Sequence, residues 1–374
     1  MKTMTSRERL TAVLNGEKPD YLPWSPLIDY YFLSSWDSKK SEDIIKASQE
    51  LDFDLMERHV PTYSEPFGAS LKLVTTGDVK YETVRKEDKI FNRYITPKGT
   101  IEEKRVTTEK IKYGFIKKHY IEDIEDLETY KYVLENIEFQ SMKEEFNKRD
   151  KKIGEAGLAV PSGPLTPIQQ FLQFLIGLEK TVYMLMDHPN EMQEVLDLIH
   201  EKNLDCYKIL LDYPSDVIIP YEDTSTTVLS PNMYEEHCME YIDEYAALAA
   251  KKNTKYITHM CGKLTKLLDQ LAEGNMDGID SMCPPTSGDL WPYDAREKLG
   301  NDKIIIGGIE PASLKQFSKK EVNDYVLDLL KKMQPGHNFI LSTGDATPYD
   351  TPIENLKAVA EIRNKYGKFP LDLK

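Results

Sequence analysis

Residues 259–262 read His-Met-Cys-Gly. In an extended chain, side chains two apart share a side, so His259 and Cys261 can face one ion. Gly262 leaves the backbone free to turn at once. An imidazole and a thiol at that spacing either bind a metal or pack in a core, where free cysteine is commonly buried. Three other runs end in groups of similar chemistry: Tyr221-Glu222-Asp223, Met282-Cys283-Pro284-Pro285 and Thr343-Gly344-Asp345. Three or four such ligands suffice for tetrahedral zinc, with one position left for substrate or water.

These runs have to be brought together by the elements that carry them. Eight short apolar, β-prone stretches recur along the chain: Tyr21–Ile28, Phe53–Val60, Gly157–Gly163, Asp216–Tyr221, Lys255–His259, Asp277–Met282, Lys303–Gly307 and Asn338–Thr343. Unbroken apolar runs such as Ile304-Ile305-Ile306 read as strands buried on both faces. Helical patterns lie between most of them, as in Glu191–Leu211, Pro231–Lys252, Leu314–Met333 and Pro352–Tyr366. Strand then helix, eight times, predicts an α/β chain folded as a (β/α)₈ TIM barrel, with chemistry where strands end.

Two departures from that rhythm are expected. Thr5 and Glu8 form a T-x-x-E capping box that starts an N-terminal helical extension. After the second strand, residues 70–122 are rich in Val, Thr, Tyr, Ile and Lys, with Thr96-Pro97-Lys98-Gly99 as a tight turn. They predict an antiparallel, hairpin-rich β insertion with strands Ile90–Ile95 and Thr100–Thr107, and 123–150 a helical connection. The whole of 1–374 is read as one TIM-barrel domain, since 50 inserted residues make a thin core of their own.

Composition limits the partners. The chain has 374 residues, with 48 basic and 63 acidic side chains and a net charge of −15. Such a balance disfavours nonspecific binding to nucleic acid or to an anionic membrane. No apolar run approaches a membrane span, no export signal is recognisable at the start, and four scattered cysteines make no disulfide framework. A cytoplasmic globular protein is the expectation. Aromatic residues near the first and fourth strand ends, Trp24, Tyr30, Tyr31 and Tyr221, can line a substrate pocket or pack in the core, as can Cys283. No dinucleotide or Walker glycine pattern occurs.

With these residues in view, the chain resembles the uroporphyrinogen decarboxylase superfamily, on its corrinoid-dependent methyltransferase branch. The resemblance runs nearly end to end. It is carried by Ser6-Arg7-Glu8-Arg9, Asn15-Gly16-Glu17-Lys18-Pro19-Asp20, Thr96-Pro97-Lys98-Gly99, Gly163-Pro164 and Asp187-His188-Pro189. It continues in Ser230-Pro231, His259-x-Cys261-Gly262, Gly288-Asp289, Ser342-Thr343-Gly344 and Asp350-Thr351-Pro352-x-Glu354-Asn355. The resemblance implies a (β/α)₈ barrel and zinc held by a His-x-Cys pair and a later cysteine. His259 and Cys261 match that pair. Asp345 stands where the resemblance expects the later cysteine, so an oxygen ligand replaces sulfur or the zinc is lost. Replacement is the reading taken here, with Glu222 added as a fourth ligand from its strand end alone, so that Glu222, His259 and Cys261 form the catalytic set.

A harder ligand set leaves zinc the stronger Lewis acid. The expectation is therefore methyl transfer from a small-molecule O-methyl donor, such as a methoxylated aromatic, to a corrinoid. The corrinoid belongs to a partner protein, because no D-x-H-x-x-G loop is present. The alternative reverses the roles, with methyl-corrinoid as donor and a thiol or tetrahydrofolate as acceptor. Porphyrinogen decarboxylation is disfavoured by nine arginines against 39 lysines, since a polycarboxylate calls for guanidinium forks. A metal-free binding protein with a decayed site is the remaining reading.

Overall fold

The computed structural model describes residues 3–36, 43–60, 70–108 and 114–374. They form two compact units. The first comprises Met1–Pro61, Lys143–Ser162 and Tyr213–Lys374, and the second Thr62–Met142 and Gly163–Asp212.

The first unit is built on parallel strands. Leu55–Glu57 pairs with Gly157–Ala159. Tyr221–Glu222, Lys255–Met260, Gly278–Met282, Ile304–Ile309 and Phe339–Thr343 follow one another in a second sheet, and Val217–Ile218 joins Lys255–Met260. Single backbone bonds connect these sheets: Ile219 N–H donates to Pro161 O at 3.1 Å and Asp54 N–H to Trp24 O at 2.7 Å. Ser25 N–H and Leu341 O then meet at 2.8 Å. The arrangement is α/β, of the TIM-barrel kind.

Seven of the eight expected runs contain a strand. The eighth, Tyr21–Ile28, makes only isolated bridges, Tyr21 to Lys368 and Trp24 to Leu341. Pro23 and Pro26 explain the difference, since neither has an N–H to continue a ladder.

Alternation along these strands sets the interior. Met56, Leu158, Val160, Val217, Ile219, Ile257, Ile304, Ile306 and Ile340 form one buried cluster, joined by Leu10, Val13 and Leu14 of the helix Ser6–Leu14. That helix starts on the expected capping box: Glu8 N–H donates to Thr5 Oγ1 at 3.2 Å, and Thr5 N–H to Glu8 Oε2 at 2.8 Å. The strand Ile304–Ile309 is buried at all six positions, as its unbroken apolar run requires.

The second unit holds a four-stranded antiparallel sheet, Lys80–Lys86, Lys89–Thr96, Gly99–Val106 and Phe115–Lys118 in that order. The turn at Pro97-Lys98 closes Thr96 against Gly99 in register. The expected helical connection over 123–150 is corrected here. The helix Ile124–Glu135 stops at Asn136, and Ile137–Gln140 pairs antiparallel with Lys72–Thr75 before the next helix, Lys143–Ile153. Ile137 and Phe139 alternate with Glu138 and Gln140, a period-two signal too short to stand out between two helices. Among the described residues, no helix is long and apolar enough to cross a membrane.

Candidate active site

The strands of the first unit deliver two layers of polar side chains above its apolar interior. Asp280 is in register with His259, and His259 with Tyr221, so these side chains share a face. His259 Nδ1 donates to Asp280 Oδ2 at 2.8 Å, and Arg58 Nη2 donates to Asp280 Oδ1 at 2.6 Å. The three are almost wholly buried. Burial pushes the Asp280 carboxyl upward, but the Arg58 charge and the bond from His259 outweigh it and hold the group below the ordinary carboxylate range. The Tyr221 ring stacks on His259 and lies tilted against His59, with both centroids 4.1 Å away. A bulge between Ile279 and Met282, with Ser281 at φ 68°, re-aims the chain just beyond Asp280.

Beyond it, where the strands run out into loops, is the second layer. Cys261, Asp223, Cys283 and Asp345 line one cavity of about 240 Å³, together with Ser287 and Gly344. Cys261 Sγ lies 3.9 Å from Asp223 Oδ1. Burial, followed by the Asp223 and Asp345 charges, raises the Cys261 thiol well above its usual range. Burial and then Glu310 push Cys283 up to about 12. Asp223 is likewise raised, by burial first. Acidic groups crowded in this way resist ionising together, and a cation among them removes the resistance.

The loops that present this layer are held by their own chemistry. Gly262 takes φ +84°, and a Cβ there would meet Ser225 Oγ at 2.6 Å, so only glycine fits the turn after Cys261. Ser225 Oγ in turn accepts Lys263 N–H at 3.0 Å. At Gly344 a Cβ would lie 2.8 Å from Cys283 Sγ, which is how the thiol comes to rest against the backbone beside Asp345. The Gly288-Asp289 pair is structural: Asp289 Oδ1 accepts the Leu264 and Thr265 N–H groups and caps the short turn there.

The residues singled out in the sequence separate. Cys261, Asp345 and Cys283 do come to one cavity, and His259 lies in the layer beneath. Glu222 does not join them. It is in register with Met260, on the face opposite Tyr221 and His259, and its charge is felt by Tyr234 in the covering helix. The pleat gives the cavity Asp223 instead, a correction that strand alternation alone explains. Trp24 is fully buried beside Leu341, away from the cavity lining. Tyr31 packs edge-on against Tyr349 at 5.6 Å. The Tyr30 side chain lies outside the described residues. Cys206 and Cys238 are buried thiols, as expected of helix residues.

Sequence reasoning missed Arg58, His59 and Asp280, although one signal was present. A carboxylate inside the apolar run Gly278–Met282 must find a buried cation or donor. Among the described residues, no three His, Cys, Asp or Glu side chains are placed so that they could together hold a metal ion. The donor types present are nonetheless ones that zinc accepts. Sulfur and carboxylate oxygen face one cavity, and the His259–Asp280 bond is the outer-shell pairing that metal-bound imidazoles adopt.

Comparisons with known proteins agree with this fold. The chain is 23% identical over 193 residues to the uroporphyrinogen decarboxylases of Coxiella burnetii strains Dugway 5J108-111 and RSA 493 / Nine Mile phase I, covering 49% of this chain and 50% of theirs. It thus spans about half the length of the curated relatives it matches. A solved methyltransferase from Methanosarcina mazei superposes with a TM-score of 0.64 over 97% of this chain and 99% of its own, at 16% identity, a likeness of fold. The family profile for uroporphyrinogen decarboxylase (URO-D) matches residues 108–366, and the chain belongs to that family.

Proposed function

We propose that this protein is a zinc-dependent methyltransferase that takes the methyl group of an O-methyl donor and passes it to the cobalt of a corrinoid held by a separate protein. The observation that carries the reading is the cavity shared by Cys261, Cys283, Asp223 and Asp345, with His259 in the layer beneath. The reading takes the parallel strands as a closed (β/α)₈ barrel whose chemistry lies at their C-terminal ends. His259, Cys261 and Asp345 would hold the ion, with Asp223 in the place that strand position alone gave to Glu222. Zinc there would supply Lewis acidity toward the donor's ether oxygen, a task that a ligand set with carboxylates suits better than one of thiolates alone.

The chain's own residues prepare that site. Asp280 accepts the Nδ1 proton of His259, which fixes the tautomer and leaves Nε2 as the ligating atom. Arg58 keeps Asp280 ionised for that bond. The interior below, built from Ile257, Ile304, Ile306 and their neighbours, keeps water from the floor.

Metal analysis of protein purified without added zinc tests the centre: about one zinc per chain is expected, as for a mononuclear site. His259→Ala and Cys261→Ala should each lose the metal and the activity together. Activity is read from the visible spectrum of a reduced corrinoid protein mixed with methoxyarenes, methylamines or methyl thiols. Methoxyarenes should methylate it. If all donors fail and a methylated corrinoid is instead consumed by a thiol or tetrahydrofolate, the direction is the reverse.

A further inference from the structure

The second unit holds a cavity that the chemistry proposed for the first does not use. Its volume is about 540 Å³, more than twice that of the cavity beside Cys261 and within the range of small-molecule sites. Phe115, Phe174 and Leu178 are among its apolar walls, and Arg105, His119 and Gln173 supply its polar side chains. All six belong to the second unit. Two of the five large apolar side chains exposed among the described residues, Phe115 at 50% and Leu178 at 42%, stand here. Apolar surface gathered at a concavity is surface that a ligand can cover.

The backbone beneath is shaped to aim one polar atom at this space. Phe171–Leu175 forms a π-helical turn, an irregularity that recurs at functional sites. The Ile176 and Gly177 N–H groups both donate to Phe171 O at 2.9 Å, which leaves Phe174 O for a side chain. His119 Nδ1 donates to it at 3.0 Å. In the neutral ring that bond fixes Nε2 as an acceptor, and Nε2 has no hydrogen-bond partner among the described residues. Gly177, at φ +87°, makes room for the ring: a Cβ there would lie 2.7 Å from His119 Nε2.

We propose that this cavity binds a neutral aromatic molecule carrying a hydroxyl or N–H group, which donates to His119 Nε2 while its ring lies against Phe115, Phe174 and Leu178. Charge disfavours the ionic classes. Arg105 gives Nε and Nη2 to Glu103 at 2.7 and 2.9 Å, so the guanidinium of the lining is already balanced by a buried carboxylate. An anion would have to compete with that bidentate pair, and a cation would find no carboxylate in the lining. Gln173 gives an amide N–H to Gln169 Oε1 at 3.1 Å, and its carbonyl oxygen is a second acceptor. Acceptors select a ligand that donates, and the phenyl rings of the wall suit an aromatic one.

Indole and benzofuran share one shape, and only indole has an N–H to donate. Calorimetric titration of each into the full-length protein at pH 8 tests the site and needs neither metal nor corrinoid. Indole should bind about 5- to 10-fold more tightly, the factor that one neutral hydrogen bond supplies. His119→Phe should bring the two affinities together, and His119→Gln, which keeps a side-chain acceptor, should retain part of the difference. Ile116→Trp, which fills the cavity from its wall, should abolish the binding of both. Equal wild-type affinities, or no binding of either compound, overturn the proposal whether or not the variants fold. So does a folded His119→Phe protein that keeps the preference, or a folded Ile116→Trp protein that binds indole as the wild type does.

Discussion

Arg9 and Arg58 are both buried in the first unit, one within the N-terminal helix and the other among the site residues. Arg9 donates four hydrogen bonds: to Asp20 through Nε at 2.8 Å and Nη2 at 3.3 Å, to Asp54 through Nη1 at 2.5 Å, and to Met4 O at 3.0 Å. Asp54 passes the connection on by accepting Trp24 N–H at 3.0 Å. Arg58 donates one bond and leaves two atoms bare. A guanidinium whose three nitrogens are all answered by its own chain fixes architecture; one left partly unanswered costs stability.

The strongest way to break this comparison is to remove each guanidinium in turn. Arg9→Met leaves Asp20 and Asp54 without their cation and should cost about 3–5 kcal/mol of unfolding free energy. Arg58→Met leaves Asp280 still bonded to His259 and also removes two unpartnered nitrogens, so about 1–2 kcal/mol is expected. Urea denaturation of both variants at pH 7 compares them. Equal losses would mean that Arg58 is as architectural as Arg9.

Acid separates the same two regions. Burial first, then the charges of His259 and Arg58, depress His59 to about 3. Between pH 6.5 and 3 the unfolded chain binds a proton that the folded chain refuses, so stability falls as pH falls through that window. The loss should be about 2 kcal/mol at pH 5. Asp20 is shifted the other way: burial raises it, and the bonds from Arg9 and Met4 overcome that and hold it low. Its contribution persists down to the ordinary aspartate range and is lost only below it. Mild acid should therefore weaken the site region before the region around Arg9. His59→Phe, measured across pH 7 to 5, should remove the early part of the decline; an unchanged slope would assign it elsewhere.

The region around Arg9 was legible in the sequence, and the site region was so only in part. A capping box, an apolar helix face and unbroken Ile runs each announce themselves through short-range pattern, and the helix Ser6–Leu14 and the strand Ile304–Ile309 follow from them. The site turns on side-chain parity at strand ends two residues long. Glu222 and Asp223 are adjacent carboxylates, and only the pairing of Tyr221 with His259 decides that Asp223 reaches the cavity. The Arg58–Asp280 bond joins residues 222 positions apart. No local pattern encodes it, although a carboxylate inside a strand buried at every position implies some such partner. The turn at Gly262 was foreseen from its residue type, and its φ of +84° is the conformation that type permits.

The smallest expected effect separates architecture from recognition most cleanly. Thr5 caps the helix that brings Leu10, Val13 and Leu14 into the same buried cluster as Ile257, whose strand also carries His259. Thr5→Ala should remove one capping hydrogen bond and cost about 1 kcal/mol, read as a small fall in denaturation midpoint. Its effect on zinc content should be nil, because the core layer between helix and site is packed at fixed volume and transmits little of a frayed first turn. If Thr5→Ala lowered the zinc content as much as Cys261→Ala does, metal loss would follow the overall stability of the unit. The distinction between the two regions would then carry no functional meaning. Zinc kept in Thr5→Ala and lost in Cys261→Ala places metal binding in the polar layer at the strand ends.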